Sequence, residues 1–144
     1  MTQNPIDLRP EWFTTNLGVE RTGIYEWSIW SNDKTKIATY IVQTGNFSKR
    51  LDRYTRNLRR MINGLPYHIR SRTYRAIHEA LLKAYENRRS VTFTVLEIVT
   101  ATKNQLNERE RNWIATRRRE ENKGAEIVLN EITAAGLARV LELI

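Results

Sequence analysis

GIYEWSIWSNDKTKIATYIVQTGNFSKRLDRYTRNLRRMI, residues 23–62, decides the fold. Gly23 to Ser31 and Lys36 to Thr44 are rich in aromatic and β-branched side chains, which suit a pleated, half-buried surface. Between them Ser31-Asn32-Asp33-Lys34-Thr35 is a turn-forming cluster, so the pair predicts an antiparallel hairpin. Alternation puts Tyr25, Trp27 and Ile29 on one face of the first strand and Ile24, Glu26, Ser28 and Trp30 on the other. Tyr40 and Val42 share a face of the second. From Asn46, an N-cap residue type, the period changes to that of a helix, with Phe47, Leu51, Tyr54, Leu58, Met61 and Ile62 in one stripe. Asn63-Gly64-Leu65-Pro66 ends it.

Working outward, a second helix is expected from just after Ser71 to about Asn87, with Ile77, Leu81, Leu82 and Tyr85 inward. Ser90 to Val99 reads as a third strand. Thr102 and Gln105 fit a capping box for a helix carrying Leu106, Glu110, Trp113 and Ile114 on one face. Arg117 to Glu121 reads as a solvated helix end. Leu137, Val140, Leu141 and Ile144 fit a short amphipathic helix, free to cover the core or to meet a second subunit. The order ββααβαα predicts a small α/β (α+β) domain around a three-stranded antiparallel sheet.

The 144 residues amount to a single domain. With no cysteine, disulfides, thiolate metal sites and a cysteine nucleophile are excluded. Two isolated histidines, His68 and His78, are too few for a histidine-based zinc site. Met1 to Pro10 shows no apolar signal core, and no stretch approaches the roughly 18 apolar residues of a membrane span. A cytoplasmic protein without membrane contact is the expectation.

The net charge of +8 is concentrated. Residues 46–75 hold Lys49, Arg50, Arg53, Arg56, Arg59, Arg60, Arg70, Arg72 and Arg75 against one acid, Asp52, and the rest of the chain balances. Such a field suits a polyanion, and the planar fork of arginine matches phosphate. A solvated face that only keeps the protein soluble is the other reading.

Residue by residue, the chemistry is open. Tyr25 and Tyr40 read by themselves as core aromatics. Arg50 and Tyr54, four apart, share a helical face at the edge of the apolar stripe. Asp52 is not on that face, so an outside phosphate is a fitting partner for Arg50, with a surface salt bridge as the alternative. Glu110 has Leu106 four before it and Ile114 four after, which turns its carboxylate inward. An inward carboxylate needs neutralisation, an ion pair or a metal; a boundary position is the remaining option.

In this order, Gly23-Ile24-Tyr25, Tyr40-Ile41-Val42, Arg50 with Tyr54, Leu106 through Glu110 to Trp113-Ile114, and Leu129-Asn130 resemble the GIY-YIG nuclease family. The resemblance covers roughly residues 22–132, leaving 1–21 as an extension and 133–144 as the terminal helix. It implies a metal-dependent endonuclease that hydrolyses DNA phosphodiester bonds, with Tyr25, Tyr40, Arg50, Tyr54, Glu110 and Asn130 as catalytic residues. Glu110 would hold one Mg²⁺ (or Mn²⁺), Arg50 a non-bridging oxygen, and Asn130 Glu110 or the backbone around it. Tyr25 would be the general base, its pKa brought down from about 10 by Arg50 and the metal, with activity rising from about pH 7 to about pH 9. Lys49, Arg53, Arg56, Arg59, Arg60, Arg70, Arg72 and Arg75 would track the backbone of double-stranded or branched DNA.

Two positions depart from the family. Val42 stands where glycine ends the second triplet, and Gln43 where a basic residue often follows. They motivate the alternative of an inactive nucleic-acid-binding module. An interaction subunit with a merely solvated basic face is a third possibility. Specificity would come from residues 1–21, the 65–71 loop, the terminal helix, a second copy of the chain or a targeting partner.

Overall fold

A computed structural model describes residues 14–15, 22–66, 69, 72–99, 102–121, 127–131 and 133–144. The expected extension over 1–21 lies outside them except for 14–15, and so do His68, Arg70 and the Arg72 side chain. The strands are β1 (Thr14–Thr15), β2 (Gly23–Trp30), β3 (Lys36–Thr44), β4 (Ser90–Ile98) and β5 (Ile127–Val128). The helices are α1 (Phe47–Ile62), α2 (Arg72–Glu86), α3 (Lys103–Glu121) and α4 (Ala134–Leu143), with a 3-10 turn at Leu129–Glu131.

The expected antiparallel sheet is present, with β2 central between β3 and β4. It is extended at both edges: β1 adds parallel to β4 and β5 parallel to β3, giving the order β1-β4-β2-β3-β5. Each added strand is two residues long, too short for an alternating pattern to show in the sequence.

Both faces of the sheet are covered, which is why β2 is buried almost end to end. On one face Tyr25, Trp27 and Ile29 join Ala38, Tyr40, Val91 and Phe93 under α1, α2 and α4. The terminal helix covers this core through Val140 and Ile144, the first of the two roles its sequence left open. On the other face Ile24, Ile41 and Val99 pack with Leu106, and Leu96, Trp113 and Ile114 lie against them. The capping box that starts α3 is formed, with Thr102 N donating to Gln105 Oε1 at 3.0 Å. At the end of α1, Gly64 takes φ +66°, a conformation that favours glycine.

The α3 face carries one buried charge. Glu26 is 3% exposed; its Oε2 accepts from Arg117 Nε at 2.6 Å and from Thr39 Oγ1 at 2.7 Å, and Lys36 Nζ is 3.8 Å away. Burial pushes the carboxyl pKa up, but Arg117, Lys36 and Thr39 together outweigh it and the net shift is downward. Arg117 is therefore not part of a solvated helix end, as its charged run suggests. Its side chain is 16% exposed and neutralises the one acid that β2 turns inward.

Gly23 shows a different constraint. A Cβ there would run into the Glu97 carbonyl and would lie 2.8 Å from Phe47 Cζ. The pairing of β2 with β4 is irregular beside this contact, between Ile24 and Tyr25. Gly23→Ala is expected to destabilise by about 1–3 kcal/mol, the scale of overpacking, because backbone must move. Gly45→Ala, where a Cβ meets nothing within 4 Å, is the control; chemical denaturation compares them. In the same assay Glu26→Ala is expected to cost about 3–5 kcal/mol by stranding Arg117, and Glu26→Leu with Arg117→Met to recover part of that loss.

Candidate active site

Asn46 starts α1: its side chain accepts from Lys49 N at 3.0 Å while its own backbone stays extended. The helical period then seats Phe47, Tyr54 and Leu58 on the sheet, and Arg50 at the margin of that contact, half buried. Tyr54 reaches Tyr25 of β2, hydroxyl to hydroxyl at 2.8 Å, and both are fully buried. Tyr40 lies on the same face, 3% exposed. The Arg50 guanidinium lies over the ring of Tyr74 of α2, 5.7 Å from its centroid. Four of the expected residues thus share one face: Tyr25, Tyr40, Arg50 and Tyr54.

Burial dominates the electrostatics of Tyr25. Burial pushes its pKa well above 10; the Tyr54 hydroxyl and Arg50 pull down, but by less. Tyr54 is raised as well, first by burial and then by Tyr25, Tyr40 and Tyr74. Both hydroxyls hold their protons at neutral pH, and one donates to the other.

Glu110 and Asn130 are found at the outer edge of β3. Asn130 Oδ1 accepts from Ile41 N at 3.0 Å, and its Nδ2 donates to the Ile41 carbonyl, as a neighbouring strand would. Glu110 Oε2 accepts from Gln43 N at 2.7 Å. Glu110 is half buried, so its place is the boundary position rather than an inward ion pair. The same face of α3 grips the Gln43 side chain: Gln43 Nε2 donates to Asn107 Oδ1 at 2.5 Å and Lys103 Nζ donates to Gln43 Oε1 at 2.8 Å. Tyr25 pairs with Val42 in register, one residue before Gln43. The six residues therefore gather around the C-terminal half of β3, with Tyr25, Tyr40, Arg50 and Tyr54 on the α1 side and Glu110 and Asn130 along the outer edge.

Among the described residues no three His, Cys, Asp or Glu come together to hold a metal. One carboxylate with a second oxygen, Oε1, that has no protein partner among the described residues suits a hard cation that keeps most of its waters. Glu110 fits a Mg²⁺-type ion as a single ligand.

Lys49, Arg53, Arg56 and Arg60 form an exposed stripe at helical spacing on α1, with Arg59 beside it. Arg60 Nε donates to the Pro66 carbonyl at 2.6 Å and Arg75 Nη2 to the Ile69 carbonyl at 2.8 Å, so these two also hold the loop after α1. Among the described residues Lys49, Arg53 and Arg56 form no ion pair.

The sequence reading missed Tyr74, Asn57 and His78. Tyr74 and His78 are four apart on α2, a spacing that could have flagged them. His78 stacks on Tyr54 with ring centroids 4.8 Å apart. Its Nδ1 lies 2.6 Å from the Tyr74 carbonyl, to which it must donate, which leaves Nε2 to accept from Asn57 Nδ2 at 3.3 Å. Burial lowers its pKa from 6.5 to about 4, against the smaller upward effect of the Tyr74 carbonyl. The unfolded chain takes up this proton near 6.5 and the folded one only near 4, so stability present above the first value drains as pH falls toward the second. A loss of up to about 3 kcal/mol is expected between about pH 7 and about pH 4. His78→Phe should lack that component in denaturant titrations at several pH values. No family model, curated protein or solved structure matches this chain.

Proposed function

We propose that the chain is a metal-dependent endonuclease of GIY-YIG type, acting on DNA phosphodiester bonds around the C-terminal half of β3. The observation that carries this reading is Arg50. Its guanidinium is half buried, lies over Tyr74 close to the Tyr25–Tyr54 pair, and has no acidic partner among the described residues. A desolvated cation without an acid suits an oxyanion supplied from outside.

On this reading Arg50 holds a non-bridging phosphate oxygen and is already oriented by the ring beneath it. The exposed stripe on α1 guides the DNA backbone to it. Glu110 would hold one divalent ion, which would supply charge stabilisation at the phosphate and the leaving oxygen. The main-chain N–H of Gln43 fixes the carboxylate that does so, and Asn130 holds the backbone two residues earlier. Tyr25 takes the proton of the attacking water in its rare deprotonated form, while the Tyr54 hydroxyl donates to that tyrosinate.

Two observations favour the second reading, a DNA-binding module without cleavage. Tyr25 is sealed from solvent, and one Glu110 oxygen is already committed to β3. Supercoiled plasmid with Mg²⁺ or EDTA separates the two, with Glu110→Gln as the variant because it keeps an acceptor for the Gln43 N–H. The nuclease nicks only with metal, and the variant loses roughly 10²–10³ in rate, the scale of one preorganised charge stabiliser. With chemistry limiting, the rate climbs with pH and reaches no plateau below about 10, since Tyr25 titrates above its ordinary value. Salt-sensitive DNA binding without nicking on plasmid or branched substrates would establish the module instead.

A further inference from the structure

We propose that Lys103 is a second phosphate-contacting cation of this site, presented by Gln43 on the α3 side of β3 while Arg50 is presented on the α1 side. The inference rests on the DNA-binding part of the reading above.

A surface lysine is ordinarily a mobile, hydrated point charge that gives up rotamer entropy to be held in one place. Lys103 is anchored. Its ammonium donates to Gln43 Oε1 at 2.8 Å, and the Gln43 amide cannot swing away because its Nε2 donates to Asn107 Oδ1 at 2.5 Å. The main chain of the same residue is held by Glu110 Oε2 at 2.7 Å. Lys103, Asn107 and Glu110 fall at i, i+4 and i+7, so one face of α3 supplies all three contacts to one residue of β3.

The charge is not neutralised locally. Lys103 is exposed and, among the described residues, forms no ion pair. It opens α3, whose first turn holds no acid, where a cation opposes the helix dipole. An ammonium has three N–H groups, and Gln43 takes one; the others are available to an oxyanion. Two anchored cations on opposite sides of one strand end, with the Glu110 carboxylate at its edge, describe a seat for a phosphodiester backbone crossing that end.

The test is fluorescence anisotropy with a fluorescent DNA duplex in EDTA, over a series of salt concentrations. Lys103→Gln is expected to weaken binding several-fold for any sequence and to reduce the slope of log K against log salt by about 0.9, one phosphate contact. Lys103→Arg should keep the wild-type slope. So should Lys34→Gln, which alters an exposed cation at the far end of the hairpin. Wild-type slope in Lys103→Gln, beside a reduced slope in Arg53→Gln, overturns the assignment of Lys103 and leaves DNA binding standing. Absence of salt-dependent binding in the wild type overturns both.

Discussion

The backbone groups of β3 that face away from β2 must find partners, and much of this molecule is arranged to provide them. A buried main-chain N–H or C=O without a hydrogen bond costs about as much as a lost bond, so a half-covered strand edge is not stable. β5 supplies the partners only opposite Ala38 and Thr39. Beyond it the amide of Asn130 imitates the next peptide, and Glu110 takes the last amide. The chain after α3 must therefore return alongside β3, and α3 must lie where its carboxylate meets Gln43. The residues proposed for chemistry at this edge are the same ones that close the sheet.

The polar groups inside follow one rule. Glu26, His78, Tyr25 and Tyr54 are each either kept neutral or given a partner that makes the charge tolerable. Glu26 keeps its charge because Arg117 and Lys36 face it; His78 gives its charge up and spends both ring nitrogens on neutral partners. Tyr25 and Tyr54 keep their protons and satisfy one another. Burial alone would be costly for all four, and paired in this way they tie α3 to the hairpin and α2 to α1. The aromatic cluster of Trp27, Tyr54, Phe93 and His78 fills the space between.

Local patterns in the sequence carried much of this. The hairpin turn, the Asn46 cap, the capping box before α3 and the inward stripes are all set by neighbours within a few positions, where periodicity speaks. Other features had no local signal. β1 and β5 are too short to alternate. Arg117 is 91 residues from Glu26, and nothing in its basic run marks it as the one that turns inward. Glu110 sits at the right spacing for burial, yet a backbone amide drew it to the boundary. The burial of Tyr25 was not legible either: Arg50 acts in the expected direction, but a chain read residue by residue does not show how completely α1 and α2 exclude water from that hydroxyl.

The crowding at Gly23 bears on what such a motif can report. A side chain is excluded there by a main-chain carbonyl and by the Phe47 ring, wholly inside the scaffold and with no reference to a bound nucleic acid. The leading glycine of the first triplet is thus required by architecture, whatever chemistry the site carries out. Its demand comes from β4 and the first turn of α1, whereas Glu110 answers to the outer edge of β3.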